Sequence, residues 1–178
     1  MNRIEFIQST LGISALFGLS LAACNDKENL QDLVNNTKLK VSGNMFNFSA
    51  EKIKKVRIGI IGLGNRGNVL LQMCQYLVEK EHAEIVALSD IEKKKTDKAT
   101  LILKKWQKNK VSVYNSSQED WKNLARRDDI DLVVIATPWR LHTPMSLFCM
   151  ENNKHVACEV PIAYKLEDCW KPTQTSEK

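Results

Sequence analysis

The period of the apolar positions switches between two and about three and a half from residue 56 onward. Val56-Arg57-Ile58-Gly59-Ile60-Ile61 is a short run rich in β-branched residues that leads into glycines, and it predicts a strand. After it, Val69, Leu70, Met73, Cys74, Leu77 and Val78 recur at helical spacing and predict the apolar face of one helix. Ala83–Leu88 predicts a second strand, Ala99, Ile102, Leu103 and Trp106 a second helix, and Val111–Tyr114 a third strand. Ser116-Ser117-Gln118-Glu119 offers a helix start, followed by Trp121, Leu124 and Ala125. Leu132–Ala136 is an uninterrupted apolar run, the kind buried on both faces of a parallel sheet. A helix over Pro144–Asn152 and a fifth strand, His155–Val160, complete the series. Parallel strands need crossover connections, and these are right-handed, so five strands alternating with helices predict a doubly wound parallel sheet over residues 54–178.

The first fifty residues follow another pattern. Leu11–Ala23 is an apolar run of 13 residues, too short for a membrane-spanning helix, which needs about 20. Its length, with Arg3 before it and small residues after it, predicts a signal peptide over residues 1–23. Leu21-Ala22-Ala23-Cys24 resembles a bacterial lipobox, which implies cleavage before Cys24, lipidation of that cysteine, and a chain exported and anchored on the periplasmic side or cell surface. An ordinary signal peptide, with Cys24 incidental, is the alternative. Asn2–Ile7 also resembles a twin-arginine signal that keeps one arginine, so the export route stays open. Residues 24–53 are polar and predict a tether, because so few apolar residues do not offset the entropy of ordering.

Composition narrows the classes. With 43% hydrophobic and 26% charged residues the chain is neither disordered nor collagen-like. The net charge is +5, and the Lys93-Lys94-Lys95 run sits beside Glu92 and Asp97, which reads as a solvated helix face and not a nucleic-acid surface. The five cysteines form no CxxC pair, so neither a zinc ribbon nor a thioredoxin motif is expected, and no metal site is. Cys74, Cys149 and Cys158 fall in apolar segments and read as small buried thiols.

The candidate chemistry begins at Gly62-Leu63-Gly64-Asn65-Arg66-Gly67, a G-x-G-x-x-G that follows a strand and opens a helix. Gly62 permits the tight turn, Gly64 lets the backbone approach a pyrophosphate, and Gly67 allows close helix–strand packing. The helix N-terminus then offers unpaired N–H groups to phosphates; a purely structural glycine turn is the alternative. Asp90 ends the second strand, 23 positions after Gly67, where an acid accepts hydrogen bonds from ribose hydroxyls and favours NAD over NADP. Capping of the next helix is its other role, and the neighbouring lysines leave NADP open. Ala136-Thr137-Pro138, Trp139, Arg140, His142 and Glu159-Val160-Pro161 lie where the fourth and fifth strands end, the edge at which open α/β sheets bind ligands. Packing for Trp139 and helix entry for His142 are the plainer readings.

The set Gly62–Gly67, Asp90, Ala136-Thr137-Pro138, His142, Lys154-His155-Val156 and Glu159-x-Pro161 resembles the Gfo/Idh/MocA oxidoreductase family. That family usually has Glu-Lys-Pro, with the lysine serving catalysis in the sugar dehydrogenases; here the position is Val160, which has no proton to give or take. Glu-Val-Pro, with Gly-Asn-Arg-Gly and Thr-Pro-Trp, resembles instead glycoside hydrolase family 109, exported NAD-dependent α-N-acetylgalactosaminidases. The resemblance implies that Asn65, Arg66, Asp90, Trp139, Arg140, Leu141, His142, Glu159 and Val160 contact NAD. It implies oxidation of the sugar at C3, elimination at C1, addition of water and re-reduction, outside the two-carboxylate routes.

The chain stops at Lys178, and Lys171-Pro172 puts a proline where the family helix continues. The expectation is therefore a truncated or frameshifted product or a partial chain, lacking the family's second domain with its sugar-binding and catalytic residues, inactive alone and with an uncovered face that favours pairing. Two further readings stay open: a fragment of another exported Gfo/Idh/MocA sugar oxidoreductase, and a non-catalytic, membrane-tethered nucleotide-binding module.

Overall fold

A computed structural model describes residues 52–176. The strands are β1 (Val56–Ile61), β2 (Ala83–Ser89), β3 (Ser112–Tyr114), β4 (Leu132–Ile135) and β5 (His155–Cys158). The α-helices are α1 (Asn65–Glu79), α2 (Lys93–Leu103), α3 (Trp121–Ala125), α4 (His142–Glu151) and α5 (Trp170–Ser176). All strand pairs are parallel, in the order β3-β2-β1-β4-β5. The expected doubly wound sheet is what forms. Its order reverses between β1 and β4, and the crevice beyond their carboxyl ends is the topological switch point. The signal-peptide, Cys24 and tether readings lie outside the described residues.

Two cores sandwich the sheet. On one face Ile58, Ile60, Ile85 and Leu88 pack with Leu71 of α1 and Ala99 and Leu103 of α2. On the other, Ile61, Val133 and Ile135 pack with Trp121 and Leu124 of α3 and Met145 and Cys149 of α4. Gly59 makes the second packing close, since a Cβ there would lie 2.9 Å from Leu124 Cδ2.

Three expectations change. On α1 the sheet takes Gly67 and Leu71 as fully buried residues with Cys74 and Val78 against them, whereas Val69, Met73 and Leu77 of the expected face are exposed. The fifth strand ends at Cys158, before Glu159, so Glu159 and Val160 lie in the segment that follows it. Pro172 sits in the first turn of α5, where a missing N–H costs nothing, so it does not interrupt the helix. The thiols behave as expected: burial pushes Cys149 up to about 12 and raises Cys74 and Cys158, which keeps them as unreactive thiols.

Asp131 ties β4 to β1. Its Oδ2 accepts hydrogen bonds from Arg57 N (2.8 Å) and Nε (3.0 Å), and its Oδ1 from Arg57 Nη2 (2.6 Å). The Arg57 guanidinium holds the Asp131 carboxyl below its ordinary range; Arg127 does the same for Asp129, and the Ser116 N–H for Asp120. A depressed folded-state value stabilises above the unfolded aspartate value of about 3.9, and that stabilisation is lost as pH falls through the folded value. The melting temperature is therefore expected to decline below about pH 4, and Asp131→Asn to flatten the decline while lowering stability at neutral pH. Parallel acid melting curves for the two proteins check this.

Candidate functional site

The loop between β1 and α1 is built on glycines with separate tasks. Gly62 has φ +90°, and a Cβ on it would lie 2.6 Å from Ala136 O, so the turn needs glycine twice over. At Gly67 a Cβ would collide with the backbone oxygen of Gly62, which is how the start of α1 comes so close to β1. Gly64 differs: nothing lies within 4 Å of where its Cβ would be. That glycine is not demanded by any neighbour in the protein, and it leaves open the surface on which a pyrophosphate would rest. No side chain caps α1 and its first turn carries no acid of its own, so no residue of the helix occupies its first N–H groups. The residues present fit a dinucleotide.

Asp90 reaches the same loop. Its Oδ2 accepts from Leu63 N at 2.7 Å, and its Oδ1 accepts from Glu92 N at 2.9 Å. One carboxylate thus fixes the glycine loop and the entry to α2, and each oxygen keeps a lone pair for a ribose hydroxyl. Asn68, absent from the expected set, secures the loop from the other side: its Nδ2 donates to Leu63 O (2.5 Å) and Gly64 O (2.9 Å). An Asn immediately after the third glycine was its signal.

Arg66 and Glu159 meet each other. Arg66 Nε lies 2.6 Å from Glu159 Oε1, joining the start of α1 to the end of β5 across the switch point. Asn65 is exposed beside them. Beyond β4, Trp139–Leu141 form a 3₁₀ turn on which Trp139 is 60% exposed and Arg140 is open to solvent, while Leu141 packs into the core beneath. Val160 is 79% exposed.

His142 is placed differently from its neighbours. It is 1% exposed, with Nε2 2.7 Å from Thr137 O and Nδ1 2.8 Å from Pro161 O. Next to it, Thr143 Oγ1 donates to Ile162 O at 2.9 Å. The first turn of α4 therefore fastens the segment after β5 to the segment after β4, and His142 shapes the rim from beneath it. Thr143 was not anticipated, since its bond exists only once β5 lies beside β4. His82 and His155 lie at the opposite, amino-terminal ends of β2 and β5. Among the described residues no group of three His, Cys, Asp or Glu side chains could hold a metal ion.

The comparisons agree with this geometry. Residues 56–178 match the Gfo/Idh/MocA model, described as an oxidoreductase family with an NAD-binding Rossmann fold. An alpha-N-acetylgalactosaminidase from Bacteroides fragilis is 46% identical over 123 residues, which is 69% of this chain and 28% of that protein. Glycosyl hydrolase family 109 protein 1 from Bacteroides thetaiotaomicron is 42% identical over 127 residues, 71% of this chain and 27% of that one. The chain thus spans about a quarter to a third of the length of these relatives. In fold it is similar to the WlbA dehydrogenase crystallised with NADH and UDP-GlcNAcA, at a TM-score of 0.58 and 22% identity, covering 75% of this chain and 35% of that one. It is also similar to myo-inositol 2-dehydrogenase from Lactobacillus plantarum, at a TM-score of 0.57 and 22% identity, covering 70% and 33%. With a glycine loop shaped for a pyrophosphate, a rim at the switch point and a family match across the whole described sheet, the chain belongs to the Gfo/Idh/MocA oxidoreductases and forms their NAD-binding Rossmann domain.

Proposed function

We propose that this chain is the NAD-binding part of an exported glycosidase of family 109 type, cleaving α-N-acetylgalactosaminides by oxidation, elimination, hydration and reduction. The observation that carries the reading is the exposed valine at position 160, in the place of the family's usual lysine, on the rim beyond β4 and β5. The similarity to the Bacteroides fragilis alpha-N-acetylgalactosaminidase supports it. When bound, NAD supplies a hydride acceptor that is regenerated within one turnover. The chain's own residues supply placement. The α1 N-terminus and Gly64 would hold the pyrophosphate, Asp90 the ribose, and the Trp139 and Glu159–Val160 segments the nicotinamide end.

On this reading the 178-residue chain binds NAD without turning sugar over. No side chain of the rim is available as a base: both His142 ring nitrogens are engaged, Glu159 pairs with Arg66, and Val160 does not titrate. The test joins this chain to the carboxy-terminal part of the Bacteroides fragilis relative and supplies NAD with a chromogenic α-N-acetylgalactosaminide. Release of the chromophore without net NADH supports the glycosidase. NADH accumulating from free sugars, with no chromophore released, replaces it with a dehydrogenase. Export and anchoring rest on the Leu21-Ala22-Ala23-Cys24 motif. Cys24→Ser is expected to abolish acyl labelling, and labelling that persists removes the anchor.

Asp90 separates the two cofactors. Asp90→Ala is expected to weaken NAD about tenfold to a hundredfold, the range of a hydrogen bond to a charged group. NADP is expected to lose less, because the variant also removes a charge that repels a 2′-phosphate. Calorimetric titration of both cofactors decides. Equal losses would mean that Asp90 acts only through Leu63 N.

A further inference from the structure

The second charged feature of this domain lies on the opposite edge of the sheet from the β4–β5 rim. Residues 92–110 hold eight lysines against Glu92 and Asp97, a net +6, whereas the whole chain carries +5, so the other 159 residues sum to −1. The basicity of the protein is therefore local. Within it, Lys93 pairs with Asp97 and Lys95 with Glu92. Lys94, Lys98, Lys104, Lys105, Lys108 and Lys110 are all exposed and have no carboxylate partner among the described residues. Lys94, Lys98 and Leu101 share one face of α2 at spacings of four and three, and the other lysines continue past its end.

Aliphatic side chains are interspersed with these lysines. Leu101 is 63% exposed and Val113, on edge strand β3, 41%. Leu101, Val113, Lys104 and Asn115 line a hollow of about 460 Å³ between α2 and β3. The aromatic residue of the segment, Trp106, packs into the core with its Nε1 buried, so the ridge offers no ring on which a sugar or a base could stack. Lysines around exposed aliphatic residues fit an anionic bilayer, where the amines meet lipid phosphates and the aliphatic groups enter the interfacial layer.

We propose that the α2–β3 ridge docks the domain on an anionic phospholipid surface. The ridge lies at the β3 edge, and β5 is the opposite edge of the sheet, so docking leaves the Trp139 and Glu159 rim open. The inference takes its membrane setting from the exported, anchored reading, and its test omits the acyl chain so that the two fail separately.

The test uses residues 24–178 with Cys24→Ser, sedimented with vesicles of phosphatidylcholine alone or of equimolar phosphatidylcholine and phosphatidylglycerol. Binding to the anionic vesicles only, weakening as salt is added, is the expected result. Each lysine near such a surface strengthens binding about fivefold, so Lys94, Lys98, Lys105 and Lys108 changed together to Gln lose on the order of several hundredfold. The same change at Lys54, Lys80, Lys165 and Lys171 controls for net charge and leaves vesicle binding much stronger than the ridge variant does. An unchanged melting temperature shows that the ridge variant is folded. The proposal is overturned if the ridge variant and the control bind alike, if the unaltered ridge ignores anionic vesicles, or if it holds soluble heparin but no vesicle.

Discussion

Alanine at position 67 is expected to abolish NAD binding and to lower folding stability by about 3 kcal/mol, the upper part of the usual range for overpacking. The added Cβ, fixed in direction by its own backbone, would run into the backbone carbonyl of Gly62. Neither can rotate away, so α1 must move off β1, and with it the N–H groups that face the phosphates. Alanine at position 64 gives the contrast. Its Cβ would meet nothing within 4 Å, and the residue already has an extended backbone that alanine also adopts. Stability should stay level or rise by about 0.4–1 kcal/mol, because the unfolded chain loses freedom. NAD affinity should nevertheless fall about a hundredfold, since the methyl group takes the place of the pyrophosphate. Thermal melting and NAD titration of both variants settle the matter. A Gly64→Ala protein that holds NAD as the parent does would show that the open surface is not the phosphate seat. A Gly67→Ala protein that melts with the parent would contradict the helix–strand contact itself.

Gly67 also shows what was legible beforehand. Its task follows from local sterics, the helix start lying against the Gly62 carbonyl, so a spacing of a few residues revealed it. β4 was legible for a related reason: it lies between β1 and β5, is covered on both faces, and so needs an unbroken apolar run. α1 was harder, because Val69, Met73, Tyr76 and Leu77 make a second apolar stripe that the sheet does not use. Periodicity reports that a stripe exists; the choice of stripe is made by Gly67, whose close approach to Gly62 fixes the rotation of the helix. The Arg66–Glu159 pair spans 93 positions and depends on the strand order, so nothing in either segment foretold it. His142 was legible as a member of the rim, but its inward direction was not, because its partners are carbonyls contributed by two other segments.

Replacing that histidine is the second change with a large expected effect. His142→Ala would remove the ring that lies between Thr137 O and Pro161 O and open a cavity under the rim. An unsatisfied buried carbonyl costs about 1–3 kcal/mol, and lost packing adds to it, so the loss should reach about 3 kcal/mol. Thr143→Val removes only the bond to Ile162 O and should cost about 1 kcal/mol. Both substitutions release the segment that carries Glu159 and Val160, so both should weaken NAD, His142→Ala more. Glutamine, whose amide NH₂ carries two N–H donors but which lacks the volume of the ring, should restore part of the stability and no more. A double-mutant cycle separates positioning from general destabilisation. If His142 holds Glu159 against Arg66, then His142→Ala and Glu159→Gln should fall short of additivity in NAD affinity by about 0.5 kcal/mol or more. Additive effects on affinity, with the same loss of stability, would confine His142 to the core and leave the rim to position itself.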